Sequence, residues 1–262
     1  MNILWVTSFN EKIYEASGKS LLLSHQNTQS EGAWFIGLEK IIISTPRSGG
    51  MCIPIQTSEW LKRWLERNKD ISPPTVCSCP DPWVRKEKNH IKNCPHTWFN
   101  RNAYRWIRKI ATLYHALEYS RNKDYNYMVW IDADCTFIKK VFAGTIHALH
   151  RHEQKEYDAL YLKGSQRNVM EAGFVSYDLF SPVTNNFLLS LFNYYMSGSF
   201  RELCRWDDSY VIGKLIDGCE LEGRDIATTT SDQFSGVFKN SLIGEYIEHH
   251  KGKHGRELGI MK

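Results

Sequence analysis

Asp132 and Asp134 stand one residue apart at the end of the run Tyr127-Met128-Val129-Trp130-Ile131. Carboxylate oxygens are the hard ligands that divalent cations take, and alternate residues of an extended chain can send both side chains into one crevice. A cation held there would in turn hold a diphosphate. The spacing alone says little, because 12 of the 262 residues are Asp and one such pair falls within chance. Its setting says more. The preceding run is apolar, rich in aromatic and β-branched types and too short for a helix, so it reads as a strand buried on both faces. In an open α/β sheet, ligands bind just beyond the carboxyl ends of the strands. The plainer alternative is a pair of solvated carboxylates at a turn.

Other groups with chemistry to offer are spread along the chain. Thr7, Ser8, Phe9 and Asn10 lie at the carboxyl end of a first strand predicted over residues 2–7, and Tyr14 belongs to the helix-like stretch 13–23. In a nucleotide-binding α/β domain this first loop commonly meets base and ribose, with Phe9 or Tyr14 as the aromatic contact. A simple strand-to-helix turn accounts for the same residues. Arg108 and Lys109 sit on the basic side of a helix predicted over 99–121, whose apolar face carries Ala103, Trp106, Ile107, Ile110, Tyr114 and Leu117. They can serve as charge partners of phosphates or occupy a solvated face. In Glu171-Ala172-Gly173-Phe174-Val175-Ser176-Tyr177, Gly173 lets the backbone pass close to a ligand. Glu171 lies beside the pocket if that strand runs opposite to its neighbours. Asp207 and Asp208 precede a helix predicted over 209–216, at the positive end of its dipole, where either also serves as a cap. His249, His250 and His254 can return an imidazole to a metal, or form a disordered basic tail.

The elements that must position these residues follow from composition and pattern. A chain of 262 residues with 42% hydrophobic and 24% charged residues is an ordinary globular composition, expected to form one domain. The formal charge of +4 suits a phosphate-rich small molecule or an anionic glycan and argues against nucleic acid. Helices are expected at 58–67, 141–153 and 185–196, an apolar cluster at 32–43 and a strand at 157–162. Residues 68–98 change character, with five prolines in a polar run, and read as an irregular surface insertion. Within it, Cys77, Cys79, Cys94 and His96 have the ligand types of a structural zinc at tighter spacing than usual. Residues 249–262 read as a C-terminal tail. The N-terminus enters a strand with no leader, no apolar stretch is long enough to span a membrane, and seven Cys fit a reducing compartment. A cytoplasmic location is expected, in a bacterial or viral-host cell.

In order along residues 2–255, the pieces resemble a glycosyltransferase of the GT-A fold, in which a D-x-D follows a buried strand. The resemblance rests on Val129-Trp130-Ile131-Asp132-Ala133-Asp134, on the Arg108-Lys109 helix before it, on Glu171-Ala172-Gly173-Phe174 after it, on Trp206-Asp207-Asp208, and on a late histidine. It implies an α/β fold, a single Rossmann-like GT-A domain with a mixed, mostly parallel central sheet flanked by helices. It implies a nucleoside-diphosphate sugar donor, a glycan or glycoconjugate acceptor, and Mn²⁺ or Mg²⁺ on Asp134 and one of His249, His250 and His254. Asp132 would contact the donor's ribose or sugar, and the metal through water. An imidazole ligand favours Mn²⁺. Glu171, Gly173 and Trp206 would line the sugar and acceptor side. An inverting enzyme, the favoured form, needs a base, Asp208 or else Asp207; a retaining one would use Asp207, Asp208 or Glu171 to position sugar hydroxyls. Two rival readings remain. Ile131-Asp132-Ala133-Asp134-Cys135-Thr136 also fits the nucleophile motif of haloacid-dehalogenase-like Mg²⁺ phosphatases, with Asp132 as nucleophile and Lys163 as its cation. A non-enzymatic glycan-binding module would use the nine Trp and 13 Tyr as stacking platforms.

Overall fold

The computed structural model describes residues 1–69, 103–163, 170–203, 205–228 and 234–250. The strands are β1 (Ile3–Asn10), β2 (Ala33–Glu39), β3 (Gly50–Pro54), β4 (Tyr127–Ile131), β5 (Cys135–Phe137), β6 (Arg151–His152), β7 (Lys155–Glu156), β8 (Ala159–Leu162), β9 (Glu171–Asp178), β10 (Gly223–Asp225) and β11 (Ile247–His249). The helices are α1 (Glu11–Ile13), α2 (Lys19–Asn27), α3 (Glu59–Arg67), α4 (Ala103–Ser120), α5 (Ala143–His150), α6 (Pro182–Ser197), α7 (Asp208–Asp217) and α8 (Phe234–Lys239). A π-helical turn, Tyr14–Gly18, joins α1 to α2.

Seven strands form one sheet in the order β10-β8-β9-β4-β1-β2-β3. β9 runs antiparallel to both β4 and β8; the other pairings are parallel. This is the mixed, mostly parallel, helix-flanked sheet expected from the sequence. Strand alternation divides its side chains between two cores. Leu4, Val6, Met128 and Trp130 face one, built with α3, α4, α6 and α7. Ile3, Trp5, Phe9, Tyr127, Val129 and Ile131 face the other, which holds Leu21, Phe137, Ile146, Phe238 and Ile247. All five residues of β4 are buried, as a strand covered on both faces requires.

Local chemistry sets the helix boundaries. α6 begins three residues before its predicted start because the Ser181 hydroxyl accepts from the Val183 and Thr184 amides and Pro182 stands at the first helical position. It stops at Gly198, whose φ of 87° is a left-handed cap. The helix predicted over 141–153 ends at His150, and the chain turns back as the β6/β7 hairpin through Glu153 and Gln154, both at positive φ. The N-terminal helical stretch is longer than its pattern, Glu11 to Asn27, because Asn10 caps it by accepting from the Ile13 amide. None of the described helices is long and apolar enough to cross a membrane. Residues 70–102, with Cys77, Cys79, Cys94 and His96, lie outside the described residues, as does His254.

Candidate active site

The sheet brings one edge together. The carboxyl ends of β1, β2 and β4 carry Asn10, Glu39 and Asp132, and because β9 runs backwards its first residue, Glu171, lies at the same edge. The Asp132 amide bonds the Gly173 carbonyl at 2.9 Å, fixing the D-x-D turn against the start of β9. A second, two-stranded sheet supplies the remaining part: β5 pairs antiparallel with β11, with His249 opposite Cys135, and the His250 amide bonds the Asp134 carbonyl at 2.9 Å.

That ladder puts His249 Nε2 3.0 Å from Asp134 Oδ1, with both side chains largely buried. The Phe238 ring, 5.0 Å between centroids, packs against the imidazole. Ligand atoms of Asp132, Glu171 and His249 lie within 4.8 Å of one another, and so do those of Asp134, Cys135 and His249. Several carboxylate oxygens, one imidazole and a thiol thus converge on the end of β4, a donor set that fits a divalent cation. Gly173 is required there: a methyl at its Cα would sit 2.8 Å from His249 Cε1 and 3.1 Å from Glu171 Oε1.

On the α4 side of the turn a buried cation ties the acids together. Lys109 Nζ is 2.6 Å from Asp208 Oδ2 and 3.5 Å from Asp132 Oδ1, donates to the Ala172 carbonyl at 2.6 Å, and lies 4.5 Å from the centre of the Trp130 ring. The Trp130 indole donates to Asp132 Oδ1 at 2.8 Å. Burial pushes the Asp208 carboxyl above its ordinary range, with Lys109 pulling it back and Asp132 pushing it further up.

Several residues proposed from sequence are placed elsewhere. Lys109 is no solvated phosphate ligand but a buried link between Asp132 and Asp208, its ammonium meeting both carboxylates, the Ala172 carbonyl and the Trp130 ring. Arg108, one residue earlier on the helix, pairs instead with Glu39 at 2.6 Å. Asp207 caps α7 through the Tyr210 amide and takes a two-pronged contact from Arg205, Nε to Oδ2 at 2.8 Å and Nη2 to Oδ1 at 3.1 Å. Both of its oxygens are engaged, one by Arg205 alone and one by Arg205 and the Tyr210 amide. Trp206 is buried against Phe200, and its indole donates to the Leu203 carbonyl, so it offers no ring to a sugar. Thr7 and Phe9 are buried by strand alternation, the Phe9 ring lying against Tyr14 at 5.6 Å; neither faces the sheet edge as a nucleoside contact. Asn10 is used as the cap of α1; Ser8 and Tyr14 stay partly exposed. His250 turns to the opposite side of the chain from His249, its Nε2 2.7 Å from Thr136 Oγ1, because neighbouring residues of an extended strand face opposite ways. Lys163, the cation required by the phosphatase reading, reaches Asp217 at 3.3 Å.

Sequence reading missed three contributors. Trp130 looked like core and also holds Asp132. Cys135 joins the Asp134 and His249 cluster. Glu39 ends β2 opposite Asn10, half-buried, its carboxyl raised by burial against the pull of Arg108. An acid at the end of the second strand of a βαβ unit is a recognisable ribose ligand, and that signal could have found it.

No protein-family model matches the sequence, and no curated protein matches it. Among solved structures, the chain is similar to apo mouse xyloside xylosyltransferase 1, at 7% identity and a TM-score of 0.49 over 97% of this chain and 98% of that one. It is also similar to the glycosyltransferase GlyE of Streptococcus pneumoniae TIGR4, at 10% identity and a TM-score of 0.47, over 97% of this chain and 55% of that one.

Proposed function

We propose that this chain is a glycosyltransferase of the GT-A fold, transferring a sugar from a nucleoside-diphosphate donor to a hydroxyl of a glycan or glycoconjugate. One observation carries the reading: Asp134 Oδ1 and His249 Nε2 stand 3.0 Å apart at the carboxyl edge of a mixed α/β sheet, with the Asp132 and Glu171 carboxylates beside them. Asp134 and His249 would hold Mn²⁺, preferred to Mg²⁺ because one ligand is nitrogen. When bound, the ion stabilises the charge that develops on the departing diphosphate. Asp132, braced by Trp130 and Lys109, faces the donor's ribose or sugar. The nucleoside end falls to Asn10, Ser8 and Tyr14 with Glu39 and Arg108 at the ends of β1 and β2. The phosphatase reading loses support, since its cation is committed to Asp217.

Transfer with inversion requires a carboxylate to take the acceptor proton on the face of the sugar opposite the leaving group. Asp208 is that base in our reading. Desolvation raises its proton affinity, whereas Asp207 is held by Arg205 and by its capping bond to Tyr210.

Thermal unfolding with Mn²⁺ across UDP, GDP, TDP, CDP and CMP tests the assignment. A ligand present at about 100 times its Kd adds ~2.7 kcal/mol to stability, a rise of a few degrees in Tm. We expect one nucleoside diphosphate to give that shift only with metal, and Asp134→Ala to abolish it. No shift with any nucleotide would overturn the transferase in favour of a glycan-binding module. Folded Asp208→Asn should lose at least ~100-fold in kcat; near-wild-type transfer would remove Asp208 as the base.

A further inference from the structure

We propose that Cys135 is a third protein ligand at the ion site, and that its sulfur widens the preference of that site for Zn²⁺ over Mn²⁺. The inference rests on the reading of Asp134 and His249 as the metal-holding pair. Strand register puts the thiol there. Cys135 and His249 are directly opposed residues of the β5/β11 ladder, so their side chains are neighbours on one face of that two-stranded sheet. The alternate residues, Thr136 and His250, use the other face, Oγ1 meeting Nε2 at 2.7 Å. Asp134 joins from the turn before β5, its carbonyl held by the His250 amide and its Oδ1 3.0 Å from His249 Nε2. A carboxylate oxygen, the sulfur and a ring nitrogen of these three residues all lie within 4.8 Å of one another.

A buried cysteine is by default a small apolar side chain, and Cys135 is fully buried in the core that holds Phe137 and Ile247. Its place between a carboxylate and an imidazole sets it apart. Zn²⁺ takes thiolate, imidazole and carboxylate ligands together, and at reactive centres it keeps three protein ligands and one open position. Asp134, Cys135 and His249 supply that number. Any nitrogen and oxygen site already binds Zn²⁺ more tightly than Mn²⁺, so the measure of Cys135 is how far it widens the gap: thiolate selects thiophilic ions, whereas Mg²⁺ and Mn²⁺ favour oxygen. The other donor group at this edge, Asp132, Glu171 and His249, contains no sulfur. An ion drawn to Cys135 uses the same Asp134 and His249 as Mn²⁺, and the two compete for one place, the thiol giving its proton to solvent as sulfur binds. Cys135 thereby makes the site responsive to free zinc.

The test uses the full chain and two readouts. Co²⁺, a spectroscopic stand-in for Zn²⁺, reports sulfur ligation through a thiolate-to-cobalt charge-transfer band in the near ultraviolet. Release of bound Mn²⁺ by buffered Zn²⁺ is followed by electron paramagnetic resonance of the free ion. We expect the band in wild type and its weakening or loss in both Cys135→Ser and Asp134→Ala. Cys135→Ser should keep its Mn²⁺ and need ~100-fold more free Zn²⁺ to release it, since even an outer partner of a metal ligand is worth about 10- to 100-fold. Co²⁺ bound without the band, a band of unchanged intensity in either variant, or unchanged release by Zn²⁺ in Cys135→Ser overturns the role of Cys135 and leaves the metal pair standing. If wild type binds no Mn²⁺, the metal reading itself fails and this inference with it. Should Cys135→Ser not fold, the wild-type band and its loss in Asp134→Ala decide.

Discussion

Lys109 is the residue whose surroundings most constrain its role. A lysine side chain 6% exposed is rare, and it is tolerated because two carboxylates, a carbonyl and an indole face surround the ammonium. Such a pair adds little over a well-packed apolar substitute for both partners, but removing one partner leaves an uncompensated buried charge. We therefore expect Lys109→Met to lose ~3 kcal/mol or more, measured by urea unfolding. Removing Asp208 as well, in Lys109→Met with Asp208→Leu, should recover part of that loss. Additive losses in the double variant would show that the two side chains do not act as a pair.

At the scale of elements, the sequence was most legible where one periodicity acts alone. β4 was readable because five buried apolar residues in a row have few other uses, and α4 because its apolar stripe keeps helical spacing over its length. The backward direction of β9 was stated only as a condition, since direction is a property of pairing partners and leaves no local mark. The choice of His249 over His250 was legible in principle: period-two alternation allows only one of two neighbours to face the site. What chose between them was the β5/β11 register, a contact across more than a hundred residues. Buried positions were misread as ligand contacts at Thr7, Phe9 and Trp206, because residue type does not tell which side of a strand or turn will be filled. Glycines carry element-scale information too. Gly50 opens β3 at φ 126°, and a Cβ there would collide with the Trp34 backbone it pairs with. Gly50→Ala should lose about 3 kcal/mol, seen as a drop in Tm; a neutral substitution would mean the β2/β3 pairing relaxes freely.

For the whole molecule, two buried histidines make stability depend on acidity. His25 is walled by the rings of Trp5, Trp34 and Phe137, and His150 stacks on Tyr127 between the Ser176 hydroxyl and the Tyr157 carbonyl. Burial lowers both to about 4. The unfolded chain protonates them near pH ~6.5, so between those values it binds more protons than the folded one. Their contribution is full above pH ~6.5, falls as the pH drops and levels off below about 4, on the order of 3 kcal/mol for each. Urea unfolding from pH 7.5 to 4 should show the decline, and His150→Gln should flatten it. An unchanged slope in that variant would assign the acid sensitivity elsewhere.

His249 is carried by a strand outside the seven-stranded sheet, hydrogen-bonded to β5 over three residue pairs. The main sheet is backed by two cores, so the ladder that completes the site is the thinner attachment. Partial openings of a native protein take the thinner attachments first. Warming or gentle stretching should release β11 while β1, β4 and β9 keep their amide protons. In that state the chain would look folded by circular dichroism and be chemically silent. A bound ion would act as a reversible stitch between residues 134 and 249, so activity would fail at the seam before the cloth tears.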